Sequence, residues 1–168
     1  MTGSGLRSIG DPSRLFLADR AQGVAGSVVV PTLDGHRPLL VEVQALIAPS
    51  PLASPRRSAT GLDSGRLSLI IAVLERRSEI GFAKTDVFAS AIGGVKITEP
   101  AADLGVALSL ASSITGKALD PGLVACGEIG LAGELRQASQ SERRLSEAAR
   151  VGFTKACLLY TSPSPRDS

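Results

Sequence analysis

Residues able to do chemistry are sparse in this chain. His36 is its only histidine, and nothing beside it supplies the partners of a catalytic triad. Cys126 and Cys157 stand far apart without a metal-ligand spacing, so they read as free thiols in a reducing, cytosolic compartment. The stretch "EPAADLGVALSLASS" offers Asp103 and the serines Ser109, Ser112 and Ser113. An acid there suits the first turn of a helix, where the dipole favours negative charge. In "SQSERRLSEAARVGF", Ser139 followed by Glu142 has the spacing of a capping box. Arg56 and Arg57 sit together among Ser and Pro, without an acidic residue next to them. Such a pair suits gripping phosphate oxygens. Arg66, Arg76, Arg77, Lys96, Arg136, Arg143, Arg144 and Arg150 are further basic positions. The aromatic supply is Phe16, Phe82, Phe88, Phe153 and Tyr160. So small a set makes backbone contact the expected mode on nucleic acid, rather than base stacking.

The elements that must position these residues follow from periodicity and turn chemistry. "GSVVVPTLDGHRPLLVEVQALIAP" predicts a β-hairpin: three β-branched valines, Asp34-Gly35 at the turn, then a return from Leu39 to Ile47. Pro31 should limit the regularity of its first strand. Residues 50–65 read as a Ser/Pro/Gly loop, 65–77 as a helix, and "DVFASAIGGVKI" as strand, Gly-Gly turn, strand. Apolar spacing predicts a helix over 100–114, entered through Pro100. "GLVACGEIGLAGELRQ" predicts two short strands around Gly130 and Gly133. A helix over "SQSERRLSEAARVGF" and a last strand over 154–160 complete the order. Strands first and mixed elements after imply an α/β or α+β two-layer domain.

Composition agrees. The chain has 168 residues, 43% hydrophobic and 3% aromatic, which suits one domain with an aliphatic core. A net charge of +2 does not by itself call for nucleic acid. "MTGSGLRSIGDPS" lacks the apolar core of a signal peptide, and "LSLIIAVL" is too short to span a bilayer. Residues 1–13 read as a linker arriving from elsewhere, 14–160 as the domain, and 161–168 as a non-native or disordered tail.

Four stretches carry a family likeness: "SRLFLADRAQGVAGSVVVPTLDGHRPLLVEVQALIAP", "PRRSATGLDSGRLSLIIAVLERR", "AIGGVKITEPAADLGVALSLASS" and "GEIGLAGELRQASQSERRLSEAARVGF". Together they resemble the C-terminal domain of the bacterial RadA family of DNA repair and recombination ATPases, over residues 9 to 159. The resemblance implies the fold of the Lon protease proteolytic domain, related to ribosomal protein S5 domain 2. It implies a parent that joins a four-cysteine zinc finger and a RecA-like ATPase to this domain, and so makes residues 1–13 a linker from a missing upstream ATPase. That parent would bind ATP, magnesium and zinc, form a ring with six subunits as one candidate size, and drive branch migration. Its partners would be single-stranded or branched DNA and a RecA-type recombinase, in the cytoplasm and away from membranes. This chain has neither a GxxxxGK[ST] loop nor a four-cysteine cluster, so no cofactor is expected in it.

Lon-like proteases use a Ser–Lys dyad, in which a lysine of lowered pKa activates the serine. By resemblance the serine position matches Asp103 and the lysine position Glu142. Neither carboxylate can replace its counterpart, so no catalytic residue is expected. Were the two close, they would share a proton or hold a cation between them. The expected function is a non-proteolytic scaffold for ring assembly and single-stranded DNA contact. A purely structural oligomerisation domain is the alternative, and residual hydrolysis a third.

Overall fold

The computed structural model of the protein describes residues 11–158, with 19 and 21 excepted. Valine-rich β1 (Ser27–Asp34) pairs antiparallel with β2 (Arg37–Pro49) along its whole length, Ser27 opposite Gln44 and Asp34 opposite Arg37. Gly35 turns the chain with φ +67°, which a two-residue hairpin loop needs and glycine adopts freely. β3 (Arg57–Thr60), β4 (Thr85–Ala91), β5 (Leu123–Cys126) and β8 (Lys155–Leu158) complete a six-stranded sheet in the order β3-β4-β2-β1-β5-β8. β1–β2 and β2–β4 are antiparallel and the other pairs parallel. A small separate ladder joins β6 (Glu128–Ile129) to β7 (Leu135–Arg136).

Alternation along the strands divides the core. Val28, Val30, Val41 and Val43 face α2 (Ser64–Arg77) and α3 (Asp103–Thr115), meeting Leu67, Ile70, Leu104 and Leu110. α3 lies so close on β1 that a Cβ on Gly105 would stand 2.4 Å from Val30 Cγ2. The intervening Val29 and Leu40 face the other way. They pack with Val124 against Leu145 and Ala148 of α4 (Ser141–Val151) and Leu17 of α1 (Pro12–Leu17). That second face is covered only in part, and Leu46 on β2 is 61% exposed.

Pro31 lies inside β1 without costing a ladder bond. β5 meets β1 at Val29 alone. Beyond that point the Pro31 carbonyl accepts from Arg144 Nη1 at 3.0 Å, and Leu33 N–H donates to Glu99 Oε2 at 2.9 Å. A side-chain pair thus stands where a strand would, and the missing proline N–H faces no partner strand.

The two helices expected over 65–77 and 100–114 form at 64–77 and 103–115, the latter entered by a 3-10 turn at Pro100–Ala102. α1 begins at Pro12, within the last residues of the stretch expected to be linker. The second strand expected after Gly93-Gly94 does not form: residues 92–98 make a single bridge, Ile97 to Leu62. The capping box is also absent. Gln140 takes the N-cap of α4 at φ 53° with no side-chain cap bond, and Ser139 is engaged instead by Arg144. Residues 1–10, the tail over 161–168 and Tyr160 lie outside the described residues, as does the side chain of Phe16.

Candidate functional site

The Asp103 carboxylate opens α3 and is 2% exposed. Three donors converge on it. Arg66 Nε donates to Oδ1 at 3.1 Å, Arg66 Nη2 donates to Oδ2, and the Ile129 N–H donates to Oδ2 at 3.0 Å. Arg66 reaches the site because Asp63 caps α2, accepting from the Arg66 N–H at 2.8 Å, so the side chain leaves from the first turn. Its Nη2 also donates to the Ile129 carbonyl at 3.3 Å, tying both helix starts to β6. Hydrogen bonding to Asp103, against the opposing effect of desolvation, raises the Arg66 pKa further above its already high value. The cleft along Asp103, Arg66, Leu62 and Ile97 has about 10 Å³ of free space. That is room for roughly one water and none for a peptide.

Glu142, expected from the resemblance to match the dyad lysine, is exposed on α4 and lines a separate open groove with Gln140, Arg143 and Ser146. No hydrogen bond joins it to Asp103 among the described residues. The arrangement in which two carboxylates share a proton or a cation is therefore not built. Among the described residues no group of three or more His, Cys, Asp or Glu side chains is gathered to hold a metal ion. Ser109 and Ser112 are buried and donate to the carbonyls of Val106 and Lys117. His36 is exposed at the hairpin turn, its carbonyl accepting from Arg143 Nη1 at 2.7 Å.

The basic positions separate into those already engaged and those open. Arg144 is withdrawn as a phosphate contact: it is fully buried, gripping Glu99 through Nη1 at 2.8 Å and Nη2 at 2.7 Å. Burial alone would raise the Glu99 pKa. Hydrogen bonds from Arg144, Thr32 and Leu33 outweigh that and hold it below the usual carboxylate range. Arg66 is likewise committed to Asp103. Arg136 pairs with Glu134 at 3.0 Å, and Arg150 with Glu147 and Asp11. Arg56, Arg76, Arg77 and Lys96 are exposed, and none has a side-chain hydrogen bond or ion pair among the described residues. Helix α2 ends near the start of β4, because the Phe82 N–H donates to Glu75 Oε2 at 3.1 Å. Arg57 Nη1 and Nη2 donate to the Thr85 and Phe82 carbonyls there. One end of the domain thus carries Arg56, Arg57, Arg76, Arg77 and Lys84.

Two features of that end were not legible beforehand. Arg57 is the first residue of β3, half-buried, rather than half of a free loop pair. The pair also has an acidic neighbour, brought by strand pairing: Asp86 Oδ1 accepts from the Arg56 N–H at 2.7 Å. Hydrogen bonding from Arg56 lowers the Asp86 pKa. Lys84 was missed because its neighbourhood depends on that same pairing. Cys126 is buried, which raises its thiol pKa, and both cysteines are free. No helix among the described residues is long and apolar enough to cross a membrane.

No protein-family model matches the chain. It is 48% identical over 158 residues to the DNA repair protein RadA of Halalkalibacterium halodurans, covering 94% of this chain and 35% of that protein. Against the protein of the same name in Synechocystis sp. it is 46% identical over 156 residues, covering 93% and 31%. The Rickettsia felis protein gives 49% over 155 residues, covering 92% and 35%. The chain thus spans about a third of the length of these curated relatives. At nearly half identity along almost its whole length, the chain is homologous to a domain of the proteins called DNA repair protein RadA.

Proposed function

We propose that this chain is the non-proteolytic, Lon-like part of a DNA repair and recombination ATPase of the RadA kind. In this reading its fold is that of the Lon proteolytic domain and of ribosomal protein S5 domain 2, retained as a scaffold. It supports assembly of a ring and contacts the backbone of single-stranded or branched DNA. ATP, magnesium and zinc act in other parts of the parent, which works in the cytoplasm beside a RecA-type recombinase.

The observation that carries this reading is the state of Asp103. At the place of the nucleophile stands a buried carboxylate whose oxygens are consumed by Arg66 and Ile129. A carboxylate held this way neither attacks a carbonyl nor trades protons with one. DNA contact is assigned to the open end with Arg56, Arg76, Arg77 and Lys84, and to Lys96. These side chains are long, exposed and unpaired among the described residues, which suits sequence-independent phosphate contact. Arg57 supports the same end by fixing the start of β3.

Fluorescence anisotropy of a labelled single-stranded oligonucleotide, titrated with the chain across salt, tests the assignment. Binding that weakens steeply with salt, and weakens again in the Arg56→Glu, Lys84→Glu double variant, is the expected result. Unchanged affinity in that variant at low salt removes the assignment. A purely structural oligomerisation domain is the second reading. It is favoured by Leu131, 74% exposed at the tip of the β6–β7 hairpin, and predicts assembly in solution with no DNA binding.

A further inference from the structure

The half of the sheet left bare by α1 and α4 has a composition unlike the rest of the surface. Val87, Ala89 and Ala91 of β4 point into the core, so Asp86, Phe88 and Ser90 point to the open side. Strand register sets their neighbours. Leu46, Phe88 and Ser58 form one cross-strand row, and Gln44, Ser90 and Thr60 the next. Phe88 is partly exposed and belongs to none of the core clusters. Beside it Leu46 is 61% and Val24 53% exposed, around a cavity of about 340 Å³.

Arg56 continues this face. The Val87 N–H donates to the Arg56 carbonyl at 2.9 Å, which extends the β3–β4 pairing by one residue. Two residues before Ser58, Arg56 lies on the same side of the sheet, and its guanidinium makes no hydrogen bond or ion pair among the described residues, although, after the hydrogen bond from the Arg56 N–H, its charge also helps to hold the Asp86 pKa down. Two acids share this side of the sheet: Asp86, whose Oδ1 is taken by the Arg56 N–H, and buried Glu42, whose Oε2 accepts from Gln44 Nε2 at 2.9 Å, so that Gln44 offers a base its amide oxygen.

An aromatic face, an aliphatic neighbour, a row of amide and hydroxyl groups and an unpaired guanidinium are what a nucleotide requires. The ring stacks a base, the polar row meets base edges and the cation meets the phosphate. The same face is poorly suited to a stable protein interface. Among the described residues the large apolar side chains lining its cavity are Val24, Leu46 and Phe88, few for the roughly 800 Å² per partner that such interfaces bury. We infer that this open half-sheet is a base-stacking platform for single-stranded nucleic acid. Phe88 lies under one base, Gln44 and Ser90 meet its edge, and Arg56 holds the adjoining phosphate. The inference rests on the DNA-contact reading above and gives it a base-dependent component that the small aromatic count argued against.

The test compares the whole chain with its Phe88→Leu, Phe88→Tyr and Arg56→Glu variants. Each is titrated by anisotropy against oligothymidylate and against an abasic oligonucleotide of equal length. Loss of one stacked base should weaken oligothymidylate binding by about tenfold in Phe88→Leu, with the salt slope unchanged and Phe88→Tyr close to the parent. Abasic binding should be weaker for the parent and unaffected by Phe88→Leu. If Phe88→Leu does not fold, Leu46→Ala at an exposed position carries the same comparison. Equal binding by Phe88→Leu and the parent, with Arg56→Glu weakened, overturns the platform and leaves phosphate contact standing. No oligothymidylate binding by the parent at low salt overturns both. A change in sedimenting mass in Phe88→Leu assigns the face to a second copy of the chain and also overturns the platform.

Discussion

Arg66, in the first turn of one helix, holds both carboxylate oxygens of Asp103, the first residue of the next. The pair joins the two helices that cover the main core and acts as a structural joint between them. Its acid is 2% exposed, so the charge is paid for by three donors rather than by water.

Arg144 makes the second such joint, and its loss should act on stability alone. Arg144→Met takes two guanidinium hydrogen bonds from the Glu99 carboxylate, which keeps those from Thr32 and Leu33, and leaves the Pro31 carbonyl without its donor. Breaking a buried pair by removing one partner costs about 3–5 kcal/mol. Urea denaturation should show a loss of that order. The folded fraction should bind single-stranded DNA with unchanged affinity, since the side chain is fully buried.

Acid should weaken the same joint. The Glu99 pKa is depressed in the folded chain, so its contribution is complete above the ordinary glutamate pKa of about 4.3. That contribution is lost as pH falls through the lower folded value. Stability measured from pH 6 down to about pH 3 should therefore decline more steeply in the parent than in Glu99→Gln. The variant should be the less stable of the two at pH 6.

Arg56→Glu should leave the fold intact, because its exposed side chain has no partner among the described residues. Its stability should change by less than about 0.5 kcal/mol. DNA affinity should fall at low salt. The slope of log affinity against log salt should shrink by about 0.7, the value for one phosphate contact on a single strand.

Gly105→Ala tests the packing that places Asp103. The new methyl would meet Val30 Cγ2 at 2.4 Å, between a helix and a buried strand. Overpacking of this kind costs about 1–3 kcal/mol, read as a lowered thermal midpoint.

Local signals made much of this legible from sequence. The hairpin followed from three consecutive β-branched valines and the Asp34-Gly35 turn. Helix α2 followed from apolar spacing within one residue of its ends, and α3 within one residue of its end but three of its start, where the 3-10 turn stands. What failed depended on distant partners. Ser139 and Glu142 have capping-box spacing, yet buried Arg144 claims Ser139 and the chain enters α4 through a left-handed Gln140. Residues 92–98 have strand-like composition but find only one bridge. By sequence Asp103 is a helix-dipole acid, and Arg66 is one more basic position offered for DNA contact. Their pairing joins residues 37 apart in sequence, which neither periodicity nor spacing encodes. Arg57 looked like a free phosphate ligand until β3–β4 pairing turned it onto backbone carbonyls.

The most direct test of the proposed non-proteolytic, Lon-like reading replaces Asp103 with serine. Asp103→Ser removes the carboxylate while keeping a small polar side chain, so Arg66 and the Ile129 N–H lose their partner. If Asp103 is a structural joint, urea denaturation should show a loss of about 3–5 kcal/mol, with no gain of peptide hydrolysis. Stability equal to or above that of the parent would contradict the account, because it would mean that Asp103 is held there for chemistry and not for the fold.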